Sequence, residues 1–393
     1  MTNRDLFHAT MRRENGDRLL HVIQGFFPEV ADWRAQGLPE AIVQPPFLGL
    51  SPKPDLFDHC NVAKFAYCAF EQYYSPAFEE EVLEERDGRR IVRNRLGNTV
   101  ETRTDGGASL PHEIAFAIRE RADYDGLRDR LLGQTEARAP WDELAETGAV
   151  LRGQQDHLVS LWVHGPFAFL RELLGVEKAI TVPYDDPEWT RLMLADHLQV
   201  SMEAGARVIE ACGPDLCYVW EDCCGSSGPM ISPPVFREFY LPWYRAWKSF
   251  LCDMGVPWIV MDTDGDPTPL VGLWIEGGVD CILPWEVNSV DMLAIARRYP
   301  DLVLMGGIYK HMFEPADPAQ VGRFRSTDVR RAIDEELERV VAPMRRRGGY
   351  IPSLDHWVFS TVRYPDFLYY CQQLVDRYGV SNRSTRFGNT GGY

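Results

Sequence analysis

Four short acidic motifs in the sequence each lie at or shortly after the end of an apolar run. They are Glu221-Asp222, Asp262-Thr263-Asp264-Gly265-Asp266, Trp285-Glu286 and Asp355-His356. Carboxylates that are crowded together raise one another's pKa, and a carboxyl group that keeps its proton near neutral pH can act as a general acid. Carboxylates together with an imidazole are also ligands for zinc, manganese or iron. The motifs therefore indicate either acid catalysis or a metal site.

Asp262 and Asp264 are the leading catalytic candidates, because alternate residues at a strand end share one face. We assign catalytic roles to Asp262, Asp264, Glu221 and His356, and the same four residues are the candidate metal ligands. For any single acid, the alternative is that it caps the following helix or faces solvent.

Aromatic residues at predicted strand ends form a second group, which can wall a flat ligand pocket or pack in the core beneath loops. They are Phe26, Phe27, Trp285 and Trp357. Combined with nearby polar residues, they give the candidate substrate-binding set of Gln24, Phe26, Trp285, Glu286, Asp222 and Tyr350.

Short apolar strands alternate with helical stretches through most of the chain. Strands are predicted at 21–26, 159–163, 216–220, 258–261, 280–283, 302–305 and 350–351, and helices at 167–174, 187–212, 233–254 and 327–346. Repeated strand–helix units with continuous apolar strands predict a parallel sheet covered by helices. No glycine-rich phosphate-binding loop of the nucleotide-binding folds occurs in the sequence. The length of 393 residues then favours an α/β fold of the TIM type, a (β/α)8 barrel, in which the acidic motifs meet at the carboxyl ends of the strands.

Residues 80–106 have a different pattern, with short alternating runs separated by Asp87-Gly88 and Gly97-Asn98. Asp-Gly between alternating runs is a strong hairpin signal, so we predict an antiparallel β-meander inserted near the N-terminus. The barrel is predicted to form a single domain over residues 1–380. The polar, glycine-rich residues 381–393 are predicted to be a flexible C-terminal tail.

The composition argues against several kinds of partner. With 41 Lys and Arg against 58 Asp and Glu, the net charge is −17, which argues against a nucleic-acid surface or an anionic membrane surface. No apolar run approaches the roughly 18 to 20 residues of a membrane span, and the polar N-terminus lacks the apolar core of a signal peptide. A cytoplasmic protein is therefore expected.

The nine cysteines include no CxxC pair and are expected to be reduced thiols. The aromatic content is compatible with a homodimer.

Several of these motifs together resemble the uroporphyrinogen decarboxylase superfamily. The resemblance lies in the 262–266 motif, in residues 273–284, in Leu304-Met305-Gly306-Gly307-Ile308 and in Gly349-Tyr350-Ile351-Pro352-Ser353-Leu354-Asp355-His356. Glu221-Asp222, Ile231-Ser232-Pro233, Phe236-Arg237-Glu238-Phe239 and residues 165–175 fit the same family. The resemblance covers roughly residues 150–375 well and the N-terminal part loosely, and it implies a (β/α)8 barrel.

The superfamily contains two chemistries, decarboxylation of the acetate arms of a tetrapyrrole and methyl transfer to or from a corrinoid protein. The decarboxylases carry an arginine-rich segment after the first strand, whereas residues 24–29 of this sequence contain no arginine. The thiol-methylating branch binds zinc through a His-x-Cys-Gly motif, and Asp262 and Asp264 stand at those two positions here. The Asp-x-Asp-Gly-Asp motif instead resembles members found with corrinoid proteins, which we associate with demethylation of methyl ethers or amines.

The resemblance therefore implies a methyltransferase that moves a methyl group between a corrinoid and a small methyl ether, an amine or a folate. The chain has no Asp-x-His-x-x-Gly motif, so a corrinoid-binding partner protein would supply the cobalamin-type cofactor. Zinc is a further candidate cofactor. Two alternatives stay open, a cofactor-independent decarboxylase or lyase acting on a small organic acid, and a non-catalytic binding protein on the same barrel.

Overall fold

The computed structural model describes residues 1–25, 30–44, 54–104, 111–154 and 156–380. In chain order its strands are β1 (Lys64–Cys68), β2 (Glu81–Arg86), β3 (Arg89–Arg93), β4 (Thr99–Arg103), β5 (His112–Ala115), β6 (His157–His164), β7 (Leu216–Trp220), β8 (Cys224–Gly225), β9 (Gly228–Pro229), β10 (Ile259–Asp262), β11 (Cys281–Leu283), β12 (Val303–Met305) and β13 (Tyr350–Ile351).

The α-helices in chain order are α1 (Asn3–Met11), α2 (Val30–Arg34), α3 (Leu56–His59), α4 (Arg121–Leu131), α5 (Trp141–Gly153), α6 (Pro166–Leu174), α7 (Val176–Asp185), α8 (Pro187–Cys212), α9 (Pro233–Val235), α10 (Leu241–Asp253), α11 (Val271–Glu276), α12 (Met292–Arg298), α13 (Pro318–Val321), α14 (Val329–Arg347) and α15 (Tyr364–Tyr378). A π-helical turn spans Phe236–Tyr240, and 3-10 helices span Thr135–Ala137 and Lys310–Phe313. Among the described residues, no helix combines the length and the apolar character that crossing a membrane requires.

The main sheet of the described chain has seven parallel strands in the order β1-β6-β7-β10-β11-β12-β13. The predicted parallel α/β architecture is therefore confirmed. Two adjacent residues bond both edges of this sheet. Ala63 N, before β1, donates to His21 O at 2.8 Å, and Val22 N donates to Pro352 O, after β13, at 3.1 Å. Because one short segment bonds both outer strands, the sheet must curl until its edges lie close together.

Alternate residues along each strand build two separate cores, one on each side of the curled sheet. Leu158, Leu216 and Val260 belong to the inner core. Val159 and Val219 belong to the outer core, where the helices pack against the sheet. Burial on both faces explains why the strands are almost continuously apolar in sequence.

The sequence analysis did not predict strand β1, although it predicted the other strands of the main sheet. The strand begins with Lys64, whose ammonium group is buried between Asp55 and Asp58 at 3.0 Å and 2.7 Å. This charged start conceals β1 from a search for apolar runs. Within 21–25, the described part of the strand predicted at 21–26, one parallel bridge joins Val22 and Ala63.

The predicted meander is present as an antiparallel sheet in the order β2-β3-β4-β5. Three of its strands lie within 80–106, and Asp87 and Gly88 have φ of 50° and 73°, as a tight hairpin turn requires. The fourth strand, β5, lies beyond the predicted boundary. It was not predicted because its four residues are too few to show a recognisable alternation. The single domain over 1–380 stays a prediction, and the predicted tail at 381–393 lies outside the described residues.

Candidate active site

A cavity of about 360 Å³ lies at the carboxyl ends of β1, β6, β7 and β10. It is lined by Gln24, Tyr67, Trp162, His164, Glu172, Tyr218, Trp220, Asp262 and Trp357. The parallel register places Trp220 beside both His164 and Asp262, so the last inward-facing residues of three strands meet here. Active sites of α/β barrels lie at this end of the strands, which makes the cavity the candidate active site.

Aromatic rings form most of the cavity wall. The rings of Tyr67 and Tyr218 meet edge to face, with centroids 5.4 Å apart. The imidazole of His164 lies between Trp162 and Trp220, with ring centroids 4.7 Å and 4.9 Å away. These contacts hold each ring against its neighbours, so the wall is fixed before a ligand arrives.

Trp357 comes from the loop after β13 and packs over Gly25. A Cβ atom placed on Gly25 would lie 2.7 Å from the indole ring, closer than real Cβ contacts allow. Glycine at position 25 is therefore required for Trp357 to reach the cavity.

Asp262 ends β10 and is the carboxyl group at the inner wall of the cavity. The Tyr218 hydroxyl donates to its Oδ2 at 2.5 Å, and the Gln24 side chain bonds the same carboxyl group. Burial, and secondly the nearby charge of Asp264, raise the pKa of Asp262 well above its ordinary value, while the bonds from Tyr218 and Gln24 oppose that rise. Asp264, which does not line the cavity, is therefore close enough for its charge to act on Asp262.

A second carboxyl group, Glu172 on α6, faces the cavity beside an ion-pair network. The Arg171 guanidinium bonds Asp222 Oδ2 at 2.5 Å, lies 3.4 Å from Glu172 Oε1 and stacks 4.6 Å from the centre of the Trp220 ring. Burial raises the pKa of Glu172, and the Arg171 charge lowers it. Asp222, a predicted substrate-binding residue, is therefore paired with arginine and is absent from the cavity lining.

His164 is a neutral member of the wall. Its Nδ1 bonds the Tyr73 hydroxyl at 2.6 Å, and burial together with the Arg171 charge lowers its pKa to about 3. The imidazole therefore adds no positive charge to the cavity near neutral pH.

Glu221 lies on the other side of the sheet from this cavity. It is fully buried, and its Oε1 accepts a bond from Phe167 N, in the first turn of α6, at 3.4 Å. A Cβ atom on Gly165 would lie 1.6 Å from Glu221 Oε2, so α6 starts directly against this carboxyl group. Burial raises the pKa of Glu221 to about 8. The structure therefore does not group Glu221 with the predicted catalytic and metal-binding residues.

A second cluster joins Asp264, Glu286 and His356, whose possible ligand atoms lie within 4.8 Å of one another. His356 Nε2 lies 3.8 Å from Asp264 Oδ2, and His356 Nδ1 is buried without a hydrogen-bond partner in the described structure. Glu286 accepts a bond from Gly265 N at 3.0 Å and pairs with Lys310 at 3.3 Å. This donor set of two carboxylates and one imidazole suits zinc, but it replaces the predicted Glu221 and Asp262 with Glu286.

Two further predicted substrate-binding residues lie in the core. Trp285 is 1% exposed, and its ring N–H donates to Ile282 O at 2.7 Å. Tyr350 is fully buried, and its hydroxyl donates to Gly306 O at 2.9 Å. Both side chains have their polar atoms satisfied inside the protein and do not line the cavity. Phe26 and Phe27, the remaining aromatic candidates, lie outside the described residues.

Sequence reasoning missed most of the cavity wall, including Tyr67, Trp162, Tyr218 and Trp220. The signal was present in two of the predicted strands, where Trp162-x-His164 and Tyr218-x-Trp220 place large rings at alternate positions. Alternate positions of a strand share one face, so these pairs mark its ligand-facing side.

Comparison with known proteins supports the fold. No protein-family model matches the sequence, and no curated protein matches it significantly. Among solved structures, this chain is similar to a methyltransferase from Methanosarcina mazei, with a TM-score of 0.59 and 12% identity, over 95% of this chain and 98% of that chain. A Bacillus subtilis mannanase, BCman, gives a TM-score of 0.33 and 10% identity over 60% of this chain and 70% of that chain. At 12% identity, the first match shows a shared fold and nothing more. The second match, with its TM-score of 0.33, supports no conclusion.

Proposed function

We propose that this protein is a methyltransferase that moves a methyl group between a small methylated substrate and a corrinoid carried by a partner protein. The observation that carries the proposal is the cavity at the carboxyl ends of the strands, which combines an aromatic wall with a carboxyl group held in place, Asp262. The likeness of nearly the whole chain to the fold of a solved methyltransferase supports it. So do the motifs that resemble the uroporphyrinogen decarboxylase superfamily.

The proposal includes a (β/α)8 barrel in which residues 19–23 take the eighth strand position. The bonds of His21 and Val22 to the two outer strands of the sheet support this closure. In such a barrel the cavity is the mouth, where a flat cofactor on another protein can approach.

In this proposal, the residues of the chain bind and orient the methylated substrate, and the partner's corrinoid supplies the cobalt centre that exchanges the methyl group. Tyr218 and Gln24 fix the Asp262 carboxyl group, which can give a proton to a departing oxygen of a methyl ether. A methylated ammonium nitrogen already carries positive charge and leaves without a proton. Both substrate kinds are therefore chemically accessible at this wall.

If the reaction uses zinc, Asp264, Glu286 and His356 are the residues that would hold it. The ion would polarise the substrate heteroatom as a Lewis acid. The cluster adjoins the cavity through the short chain segments 262–264 and 356–357.

The alternative, a decarboxylase or lyase for a small organic acid, is less compatible with the cavity. Among the described residues that line it, none is lysine or arginine, and two are acids, Asp262 and Glu172. A substrate carboxylate there would face two carboxyl groups and no cationic partner among the described lining residues.

An anaerobic absorption assay tests the proposal. Reduced cobalamin is mixed with the protein and a panel of methyl ethers, methylamines and methyltetrahydrofolate, and loss of the reduced-cobalamin band is followed. We expect enzyme-dependent loss with at least one donor and, where the donor is a methyl ether, a rate about 100-fold lower for Asp262→Asn. Asp125→Asn, on the exposed side of α4, is the matched control and should keep the wild-type rate.

No enzyme-dependent change with any donor would count against methyl transfer. Release of carbon dioxide from a small organic acid, in the absence of cobalamin, would favour the lyase alternative instead.

A further inference from the structure

The cavity wall carries a combination of groups that selects for one class of ligand. Aromatic rings from β1, β6, β7 and the loop after β13 share the cavity with two carboxyl groups, Asp262 and Glu172. The rings are Tyr67, Trp162, Tyr218, Trp220 and Trp357. We propose that the cavity binds a methylated ammonium cation, with the rings around its methyl groups and the carboxyl oxygens beside its positive charge. The role of this cation as a methyl donor rests on the proposed methyl transfer, whereas its binding to the cavity does not.

The first argument is the chemistry of the rings. A quaternary ammonium group has no N–H to donate, so a protein recognises it through the electron-rich faces of aromatic rings. Trp220 already serves as such a face, because the Arg171 guanidinium lies 4.6 Å from its ring centre. Arg171 does not line the cavity, so this cation does not fill it.

The second argument is the rigidity of the wall. Tyr67 and Tyr218 are held edge to face at 5.4 Å, and Trp162 and Trp220 are held on either side of His164. Trp357 is held over Gly25, where no Cβ atom could fit. A preformed wall does not need to be ordered when the ligand binds, so less conformational entropy is lost.

The third argument is charge. The Asp262 carboxyl group is fixed by the Tyr218 hydroxyl at 2.5 Å, and Glu172 keeps its place beside Arg171 at 3.4 Å. Among the described lining residues there is no lysine or arginine to repel a cation. His164 uses Nδ1 in its bond to Tyr73 at 2.6 Å. Carboxyl oxygens therefore face a bound cation from two sides, and an anion finds no cationic partner among the described lining residues.

The fourth argument is size. A volume of about 360 Å³ lies at the small end of ligand pockets, which run from roughly 300 to 1,000 Å³. That volume suits a trimethylammonium group with a short substituent. It is small for a tetrapyrrole or another large ring system.

The balance of the reaction is also favourable for this class. With a reduced corrinoid on the partner as acceptor, the new bond to the methyl carbon would take its electron pair from the corrinoid, while the C–N bond would break and leave its electron pair on nitrogen. The leaving group is a neutral amine, so no proton is consumed. Loss of the positive charge removes the attraction to the rings and the carboxyl groups, which favours product release.

Binding of a matched pair of probes tests the proposal without turnover. Choline carries a trimethylammonium group, and 3,3-dimethyl-1-butanol is its neutral analogue with the same shape. Titration calorimetry with the full chain should show choline binding at least tenfold tighter than the neutral alcohol. Trp357→Leu and Asp262→Asn should each weaken choline at least tenfold and bring it close to the alcohol.

Trp141→Leu is the control for the loss of a tryptophan. Trp141 lies on α5, away from the cavity, and stacks with Arg207 at 4.2 Å. This variant should keep the choline affinity of the wild type. A fourth variant, Trp357→Phe, keeps an aromatic ring and should retain more affinity than Trp357→Leu. Circular dichroism of all four variants identifies any that fail to fold.

Equal affinity for choline and the alcohol would overturn the inference, and so would the absence of choline binding. Selective choline binding without methyl transfer from any donor would uphold the cation site and remove the proposed reaction. Methyl transfer from a methyl ether without choline selectivity would uphold the proposed reaction and overturn the cation site.

Discussion

Two acids of this protein, Glu221 and Asp262, lie at the ends of neighbouring strands, yet their surroundings give them different roles. Trp220, the last residue of β7, faces the cavity, so Glu221 after it points to the opposite side of the sheet. Asp262 pairs in register with Trp220 and therefore faces the cavity. A shift of one position along the strand thus separates a carboxyl group that supports a helix from one that can contact a ligand.

The buried Glu221 makes the stability of the protein depend on pH. Burial raises its pKa from 4.5 to about 8, so the folded state keeps a proton that the unfolded state has released. Between these two values the stability contributed at low pH is lost as the pH rises, with a limiting slope of about 1.4 kcal/mol per pH unit. We expect Glu221→Gln to gain stability relative to wild type by about 1 kcal/mol per pH unit from pH 5 to 7.5.

Urea unfolding of both proteins across this pH range measures the difference. Glu143→Gln, at an exposed position of α5, is the control and should show no trend with pH. A parallel pH dependence of Glu221→Gln and wild type would mean that Glu221 is ionised in the folded protein.

Metal binding distinguishes the predicted ligand set from the set that the structure assembles. We expect His356→Ala and Glu286→Gln to lower zinc uptake at least tenfold, because their donor atoms lie within 4.8 Å of one another and of Asp264. Glu221→Gln should leave uptake unchanged, since Glu221 is bonded at the start of α6. Zinc content after equilibrium dialysis is the measurement. Loss of zinc from Glu221→Gln alone would restore the ligand set predicted from the sequence.

At the scale of elements, helix α6 connects the core to the site. It begins at Pro166 directly against Glu221 and carries Arg171 and Glu172 to the cavity edge. The close approach depends on Gly165, where a Cβ atom would lie 1.6 Å from Glu221 Oε2. A change at this glycine should therefore move the helix and the site together.

We expect Gly165→Ala to destabilise the protein by about 2 kcal/mol, because the added methyl group overpacks the junction between β6 and α6. Gly126→Ala is the matched control, since Gly126 is exposed within α4 and a Cβ atom there meets nothing within 4 Å. It should stabilise the protein by about 0.5–1 kcal/mol. Thermal unfolding of both variants checks the contrast. Equal melting temperatures would show that α6 can shift without cost.

The elements themselves were largely predictable, because strands buried on both faces leave continuous apolar runs. Strands β6, β7 and β10 to β13 follow that rule, whereas β1 begins with the buried Lys64 and escapes it. The site was less predictable. The sequence analysis found the acids at the strand ends, but strand register decides which of them face the cavity. The apolar run of β7 located the strand without showing that Glu221 faces outward.

At the scale of the whole molecule, the protein depends on a short N-terminal segment to join the two outer strands of its sheet. His21 O accepts from Ala63 N, and Val22 N donates to Pro352 O. The same segment continues to Gln24 and Gly25, which position Asp262 and Trp357. Closure of the sheet and assembly of the cavity are therefore coupled in one stretch of chain.

This coupling predicts that residues 19–24 exchange their amide hydrogens as slowly as the central strands. By contrast, β2 is exposed along its whole length and should exchange quickly. Val22→Pro removes the donor to Pro352 and should destabilise the fold by about 1–3 kcal/mol beyond the effect of Val22→Ala, which keeps the N–H group. Hydrogen exchange followed by mass spectrometry, with thermal unfolding of both variants, makes the measurement. If residues 19–24 exchange as fast as β2 and the two variants melt together, the segment does not join the edges of the sheet, and the cavity must be held by the seven strands alone.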